Sequence, residues 1–168
     1  MVEKLNFGCG RKILKGYVNV DIQKHKKIDY SFDFNKFPYP LENDKFSYIL
    51  VDNVLEHLDD PAKVLEELHR ISKNNAIIHI IVPYYNCSGA YNDVTHKNFF
   101  NERSFEVLSN SSDFYWLEQR KRKFAIKKNE LVPTRFGKLI WPKKLRMLAG
   151  KVFGEVFSLV DVELQVNK

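Results

Sequence analysis

The chain has 168 residues, 44% apolar and 29% charged, with a formal net charge of +6. These values fit one globular domain and exclude a disordered chain, and no apolar run reaches the roughly 18–20 residues of a membrane-spanning helix. Cys9 and Cys87 stand far apart in no metal-binding spacing, which with the lack of a signal-peptide pattern makes a reduced, cytoplasmic protein without structural zinc the simplest expectation.

Residues 4–7 read as a short strand that runs directly into Gly8-Cys9-Gly10. Residues 17–21 are β-branched and end on Asp21, a second strand, and residues 28–30 suggest a short third. Pro38 and Pro40 make residues 35–40 a loop. Residues 46–52 form a fourth strand, and the consecutive Tyr48, Ile49, Leu50 and Val51 suggest burial on both of its faces. Asp60-Pro61 is an N-cap followed by proline at the first helical position. Val64, Leu65, Leu68 and Ile71 then recur at helical spacing, which predicts a helix over 61–72. Asn74 and Asn75 suit a left-handed C-terminal cap for it. Residues 77–83 are an isoleucine-rich strand, and 84–101 a long polar, aromatic loop. Phe105 and Leu108 suggest a short helix. Residues 114–126 and 160–166 read as two further strands. Between them Leu145, Leu148, Val152, Val156 and Leu159 form an apolar stripe on a helix.

This alternation predicts an α/β fold: a Rossmann-like, doubly wound, mostly parallel sheet with an antiparallel C-terminal strand pair. One domain over 1–168 is expected, with a ligand-binding core in 1–110 and a basic strand-helix-strand unit in 111–168. The charge is regional. Residues 120–151 hold twelve Lys or Arg and one acid, Glu130, whereas the remainder holds fifteen basic and twenty acidic residues. Such a patch attracts an anionic partner, RNA or an acidic membrane surface, or simply keeps the chain soluble.

In open α/β sheets ligands bind beyond the carboxyl ends of the strands. Gly8 and Gly10 there let backbone approach a ligand, and an acid ending the next strand can hold both hydroxyls of a ribose. A dinucleotide is disfavoured, because Ile13 stands where a third glycine is wanted and Asp21 follows Gly10 by only eleven residues. The first crossover has no room for a full helix on which a pyrophosphate would sit.

On these residues the chain resembles the class I S-adenosylmethionine-dependent methyltransferases. The matching runs are LNFGCG, GYVNVD, DFNKFPYP, FSYILVDNVLEHLDDPAKVLEELHRISK, IIHIIVP and DVTHKNFF, over roughly residues 4–105. The resemblance implies S-adenosyl-L-methionine as cofactor. It places Gly8 and Gly10, with Asn6 and Cys9, around the methionine part, and Asp21 with Ile22 at the ribose. Asp33 and Phe34 fall near the adenine, and Asp52, Asn53 and Val54 near the sulfonium. Asn6 replaces the acid usual before the first glycine, and Lys12 replaces the third glycine.

Methyl transfer needs a nucleophile in line with the methyl group and sometimes a base. His57, His96 and Tyr84 are the catalytic candidates, with Asp93 a further possible base and Tyr85 a shaping group. His57 reads equally as a structural histidine at a helix start, and His96 as a loop-ordering one. His79 is expected to be a hydrogen-bonded core residue, and His25 and His69 surface residues. No metal site is expected from the histidine spacing. The acceptor is open: a small molecule, sugar or lipid, or RNA through the basic region with Trp116, Phe124, Phe136 and Trp141. The stripe over 143–157 fits a helix packed on the sheet or an interfacial helix. A non-catalytic binding module on the same fold is the alternative.

Overall fold

The computed structural model describes residues 3–109 and 123–168. Seven strands form one sheet in the order β3-β2-β1-β4-β5-β7-β6. They are β1 (Glu3–Phe7), β2 (Val18–Asp21), β3 (Tyr30–Ser31), β4 (Phe46–Asp52), β5 (Ser72–Pro83), β6 (Lys123–Pro133) and β7 (Phe157–Asn167). The first five run parallel, and β7 enters antiparallel between β5 and β6. The expected α/β sheet with an antiparallel C-terminal pair is therefore present. The helices are α1 (Pro61–Ile71), α2 (Glu102–Ser109), α3 (Arg135–Leu139) and α4 (Lys143–Val152). No helix among the described residues is long and apolar enough to cross a membrane.

The two faces of the sheet are built differently. On one, Leu5, Phe7, Ile49, Val51, Ile78, Ile80, Val160 and Val162 are fully buried together with Val64, Leu65, Leu68 and Ile71 of α1 and Phe105 of α2. Each such side chain contributes about 1.5–3 kcal/mol by leaving water. Asp60 starts α1 as expected, accepting the Lys63 amide at 2.9 Å. On the other face, Tyr48, Leu50, Ile77, His79 and Ile81 are only half-buried. The expectation that β4 is buried on both faces therefore fails. The consecutive apolar run has one half under helices and the other under little cover.

The crossover from β1 to β2 contains no helix, and two buried amide side chains replace one. Asn19 accepts from Asn6 Nδ2 and the Leu14 amide through its oxygen, both at 2.9 Å, and donates to the Leu14 and Tyr17 carbonyls. Asn6 Nδ2 also donates to the Lys12 carbonyl at 2.7 Å. Backbone groups that a helix would pair within itself are satisfied by side chains instead.

Three boundaries differ from expectation. The helix α1 stops at Ile71, and Ser72 is already extended, with its hydroxyl bonded to the Leu68 carbonyl at 2.7 Å. Asn75 does take a left-handed φ of 63°, but inside an irregular stretch of β5 rather than as a helix cap. The strand expected over 114–126 overlaps β6 only at its end; residues 114–122 lie outside the described residues, and β6 continues to Pro133. The apolar stripe also divides. Leu145, Leu148 and Val152 lie on α4 and are exposed, whereas Val156 is buried before β7 and Leu159 belongs to β7.

Candidate active site

Two clefts open at the carboxyl ends of the parallel strands, one beside β1 and β2 and one beside β4 and β5. The first has a volume of about 590 Å³ and is lined by Gly10, Arg11, Ile13, Asp21, Gln23, His25 and Lys27. Chain direction and close packing shape its rim. Gly8 has φ +74°, and a Cβ there would stand 2.3 Å from Val54 Cγ2, so no other residue fits. Gly10 has φ +50° with open space beside its Cα. Asp21 is nearly buried; its Oδ2 accepts the Gly10 amide at 2.7 Å and its Oδ1 the Gln23 amide at 2.9 Å. Each carboxylate oxygen keeps a further lone pair for a ligand. Lys12 Nζ reaches Asp52 Oδ2 at 2.7 Å across the crevice between β1 and β4, where the order of strands reverses.

Other residues singled out in the sequence fall variously. Ile22 is 57% exposed next to Asp21, an apolar side chain beside the cleft. Asp33 is half-buried and caps the Asn35 amide. Phe34 instead turns into the core, stacked on Phe7 with ring centroids 4.0 Å apart, so its ring is no cleft wall. Asn6 likewise points into the crossover rather than the cleft. Cys9 is buried, and burial, with the nearby Asp21 carboxylate, holds its thiol above the ordinary range. His25, expected as a surface residue, lines this cleft and donates to the Gly10 carbonyl at 2.9 Å.

The second cleft, about 490 Å³, is lined by Asn53, Glu56, His57, Pro83, Gly89, Asn92, Asp93, Val94 and His96. Asn53 leaves β4 with a left-handed φ of 54°, which asparagine tolerates. A 3-10 turn at Leu55–His57 follows. The loop that carries His96 is fastened to this turn: the Lys97 and Asn98 amides both donate to the Glu56 carbonyl, at 2.7 and 3.0 Å. Asn98 Nδ2 donates to the Leu58 carbonyl, and Lys97 pairs with Asp59, both at 2.6 Å. His57 and His96 consequently meet edge to face, with ring centroids 4.7 Å apart. Two candidates 39 residues apart in sequence share one cleft.

The third candidate does not join them. Tyr84 is buried, its ring against Tyr85 and Phe157, and burial raises its hydroxyl pKa. It is a core residue that pins the start of the loop after β5. Glu56, in contrast, was not singled out from the sequence and stands in the cleft. It is 1% exposed, and neither carboxylate oxygen has a hydrogen-bond partner. Burial pushes its carboxyl up to about 7, against the opposing pull of its own amide and of His96.

Residues 14–80 match the family model described as a methyltransferase domain. No curated protein matches the sequence. Among solved structures, an S-adenosylmethionine-dependent methyltransferase from Archaeoglobus fulgidus superposes with a TM-score of 0.61 at 15% identity, covering 98% of this chain and 86% of that one. A second from Mesorhizobium loti gives 0.60 at 12% identity, with coverages of 98% and 90%. The [4+2]-cyclase SpnF gives 0.63 at 12% identity, with coverages of 99% and 74%. A shared fold thus reaches proteins with another reaction, and identity this low speaks for the fold alone.

Proposed function

We propose that the chain is a class I S-adenosylmethionine-dependent methyltransferase, a reading supported by its fold and its methyltransferase-domain segment, and that it binds S-adenosylmethionine in the first cleft and methylates an acceptor held in the second. The carrying observation is the pairing of the Gly8-Gly10 turn with the Asp21 carboxylate at one cleft. Gly8 and Gly10 give the backbone close approach, and Asp21 has lone pairs left for two ribose hydroxyls. Ile22 supplies an apolar surface for the adenine, with Asp33 nearby. Lys12 and Asp52 hold opposite charges at the strand reversal, suited to the carboxylate and ammonium of an amino acid. Asp52, Asn53 and Val54 lead from this cleft into the second.

The cofactor supplies an electrophilic methyl group on a sulfonium. The chain's part is to aim an acceptor at that carbon and to receive a proton where the acceptor carries one. His57 and His96 line the second cleft and are the groups suited to that role. Tyr84 is not, because it is buried.

The acceptor reading we favour is a lipid or a lipid-linked small molecule. Leu139, Trp141, Leu145, Leu148 and Phe153 are all exposed, Leu139 and Trp141 at 80%. Lys138, Lys143, Lys144, Arg146 and Lys151 lie among them, with no acid between residues 131 and 151. Apolar side chains within a cationic surface suit the boundary of an anionic bilayer. This surface adjoins the acceptor loop: Asn86 Nδ2 donates to the Gly150 and Phe153 carbonyls, and Glu155 accepts the Ser88 amide.

Calorimetric titration with S-adenosylhomocysteine tests the cofactor reading. Binding is expected, and Asp21→Ala is expected to weaken it roughly 10–100-fold, from about 1.5–3 kcal/mol per hydrogen bond to a charged group. No binding to well-folded protein overturns it. Cosedimentation with phosphatidylglycerol vesicles tests the acceptor surface. Binding is expected, falling with added salt and lost in Leu148→Glu; no binding at low ionic strength, or equal binding by that variant, removes the lipid reading.

A further inference from the structure

Glu56, His57 and His96 bring their ligand-type atoms within 4.8 Å of one another. What makes this more than a cluster is which atoms face inward. Thr95 Oγ1 lies 2.7 Å from Asp93 Oδ1, a carboxylate that only accepts, so the single hydroxyl proton is committed there. His57 Nδ1, 2.9 Å from the same hydroxyl, must therefore donate its proton to it. His96 Nδ1 stands 2.8 Å from the Ala90 carbonyl and donates for the same reason. In its neutral form each imidazole therefore keeps its lone pair on Nε2. Beside them lies the Glu56 carboxylate, almost wholly buried and with no hydrogen-bond donor from another residue. Two nitrogens and the Glu56 carboxyl converge, and when that carboxyl is ionised no donor from these side chains stands among them. Acceptors facing one another around the buried Glu56 carboxylate are unfavourable unless a cation, a proton or a metal ion, sits among them.

We propose that Glu56, His57 and His96 bind one divalent transition-metal cation, of the zinc class, at the wall of the acceptor cleft. Two imidazoles and one carboxylate form a ligand set used for catalytic zinc, with remaining positions left for water or substrate. Nitrogen donors select such ions over magnesium and calcium, which take oxygen ligands. The outer partners are of the expected kind, since metal-bound histidine donates its other N–H to a carboxylate, a carbonyl or a group relaying to one. Asp93-Thr95 serves His57, and Ala90 serves His96. The backbone bonds from Lys97 and Asn98 to the Glu56 carbonyl fix the relative position of the three. All three residues line the same cleft, so the open positions face an acceptor. An oxygen or nitrogen donor on a small molecule is the ligand class they would take.

The proposal requires no cofactor and is tested without one. Chelator-treated protein is titrated with Zn²⁺, and separately with Co²⁺, whose visible absorption reports ligand number and geometry. One equivalent of Zn²⁺ is expected to bind and raise the melting temperature, with Mg²⁺ and Ca²⁺ giving no such rise. His57→Ala, His96→Ala and Glu56→Gln are each expected to lower affinity by more than the roughly 10–100-fold that loss of an outer partner costs. Thr95→Val is expected to show that smaller loss. His79→Ala, at a histidine outside the cleft, should bind as the wild type does. Glu56→Gln keeps the fold under test, because its amide N–H can donate to the waiting Nε2 atoms and its metal-free melting point should not fall. Absence of Zn²⁺ and Co²⁺ binding by the wild type overturns the proposal, as does binding that survives in all three ligand variants. Because S-adenosylhomocysteine titration reads the other cleft, either reading can fail while the other stands.

Discussion

His57, in the turn after β4, and His79, on β5, each stand near a carboxylate, yet the two neighbourhoods differ in how they are completed. Around His79 every group has a partner. Tyr48 Oη meets His79 Nδ1 at 2.8 Å, His79 Nε2 meets Asp161 Oδ1 at 2.9 Å, and Asp161 Oδ2 meets Lys128 Nζ at 2.7 Å. The row crosses β4, β5, β7 and β6 on the half-buried face and alternates donors with acceptors to its end. Around His57, Glu56 and His96 only acceptors face one another. A histidine beside an acid is thus no mark of a site by itself. The row on β4–β6 is a finished structural element, while the cluster at the 3-10 turn is finished only by something added.

Breaking the completed row should cost the most. Asp161→Ala leaves Lys128 and His79 without their partner, and an unfolding free energy lower by about 2 kcal/mol is expected, from the desolvation penalty of orphaned polar groups. Denaturant melts would measure it, and an unchanged midpoint would show that the row adds nothing. The opposite sign is expected at the incomplete cluster. In chelator-treated protein Glu56→Gln removes a buried anion and supplies a donor, for a gain of about 1 kcal/mol. A loss of stability there would mean that the carboxylate has a partner in solution.

The smallest effect concerns acid. Burial would raise the Asp161 carboxyl, but hydrogen bonds from Lys128 and His79 outweigh it and hold the carboxyl below its ordinary value of 3.8. A group whose folded pKa is depressed stabilises above its unfolded value and loses that contribution as pH falls through the folded one. Stability should therefore decline below pH 3.8, and Asp161→Asn should flatten that part of the acid limb. An identical acid limb in the variant would separate Asp161 from acid unfolding.

Much of the first cleft was legible because its signals are local. Gly8, Gly10 and Asp21 sit at strand ends that the alternation of apolar segments locates, and Asp60-Pro61 announces α1. Glu56 was illegible for a physical reason. In Leu55-Glu56-His57-Leu58 an acid among leucines reads as the wet side of a helix, whereas the turn points it inward. Its partner His96 arrives through a loop whose attachment is backbone to backbone, which no side-chain pattern records. Phe34 and Tyr84 show the converse. Both stand beside strand ends, where a ligand belongs, and packing took their rings into the core. The apolar stripe expected on one helix is divided because α4 ends at Val152, which leaves Leu145, Leu148 and Val152 exposed on the helix, Val156 buried before β7 and Leu159 within β7.

The carbonyl of Glu56, which receives the Lys97 and Asn98 amides, gives this residue two tasks of different kinds. Its side chain is chemical and its main chain is mechanical. Amino-acid replacement at position 56 reaches the first and leaves the second in place, since every residue carries the same carbonyl. The turn after β4 can therefore exchange its chemistry without giving up the point on which the loop carrying His96 hangs. A scaffold with that separation can change the chemistry of its second cleft by single substitutions.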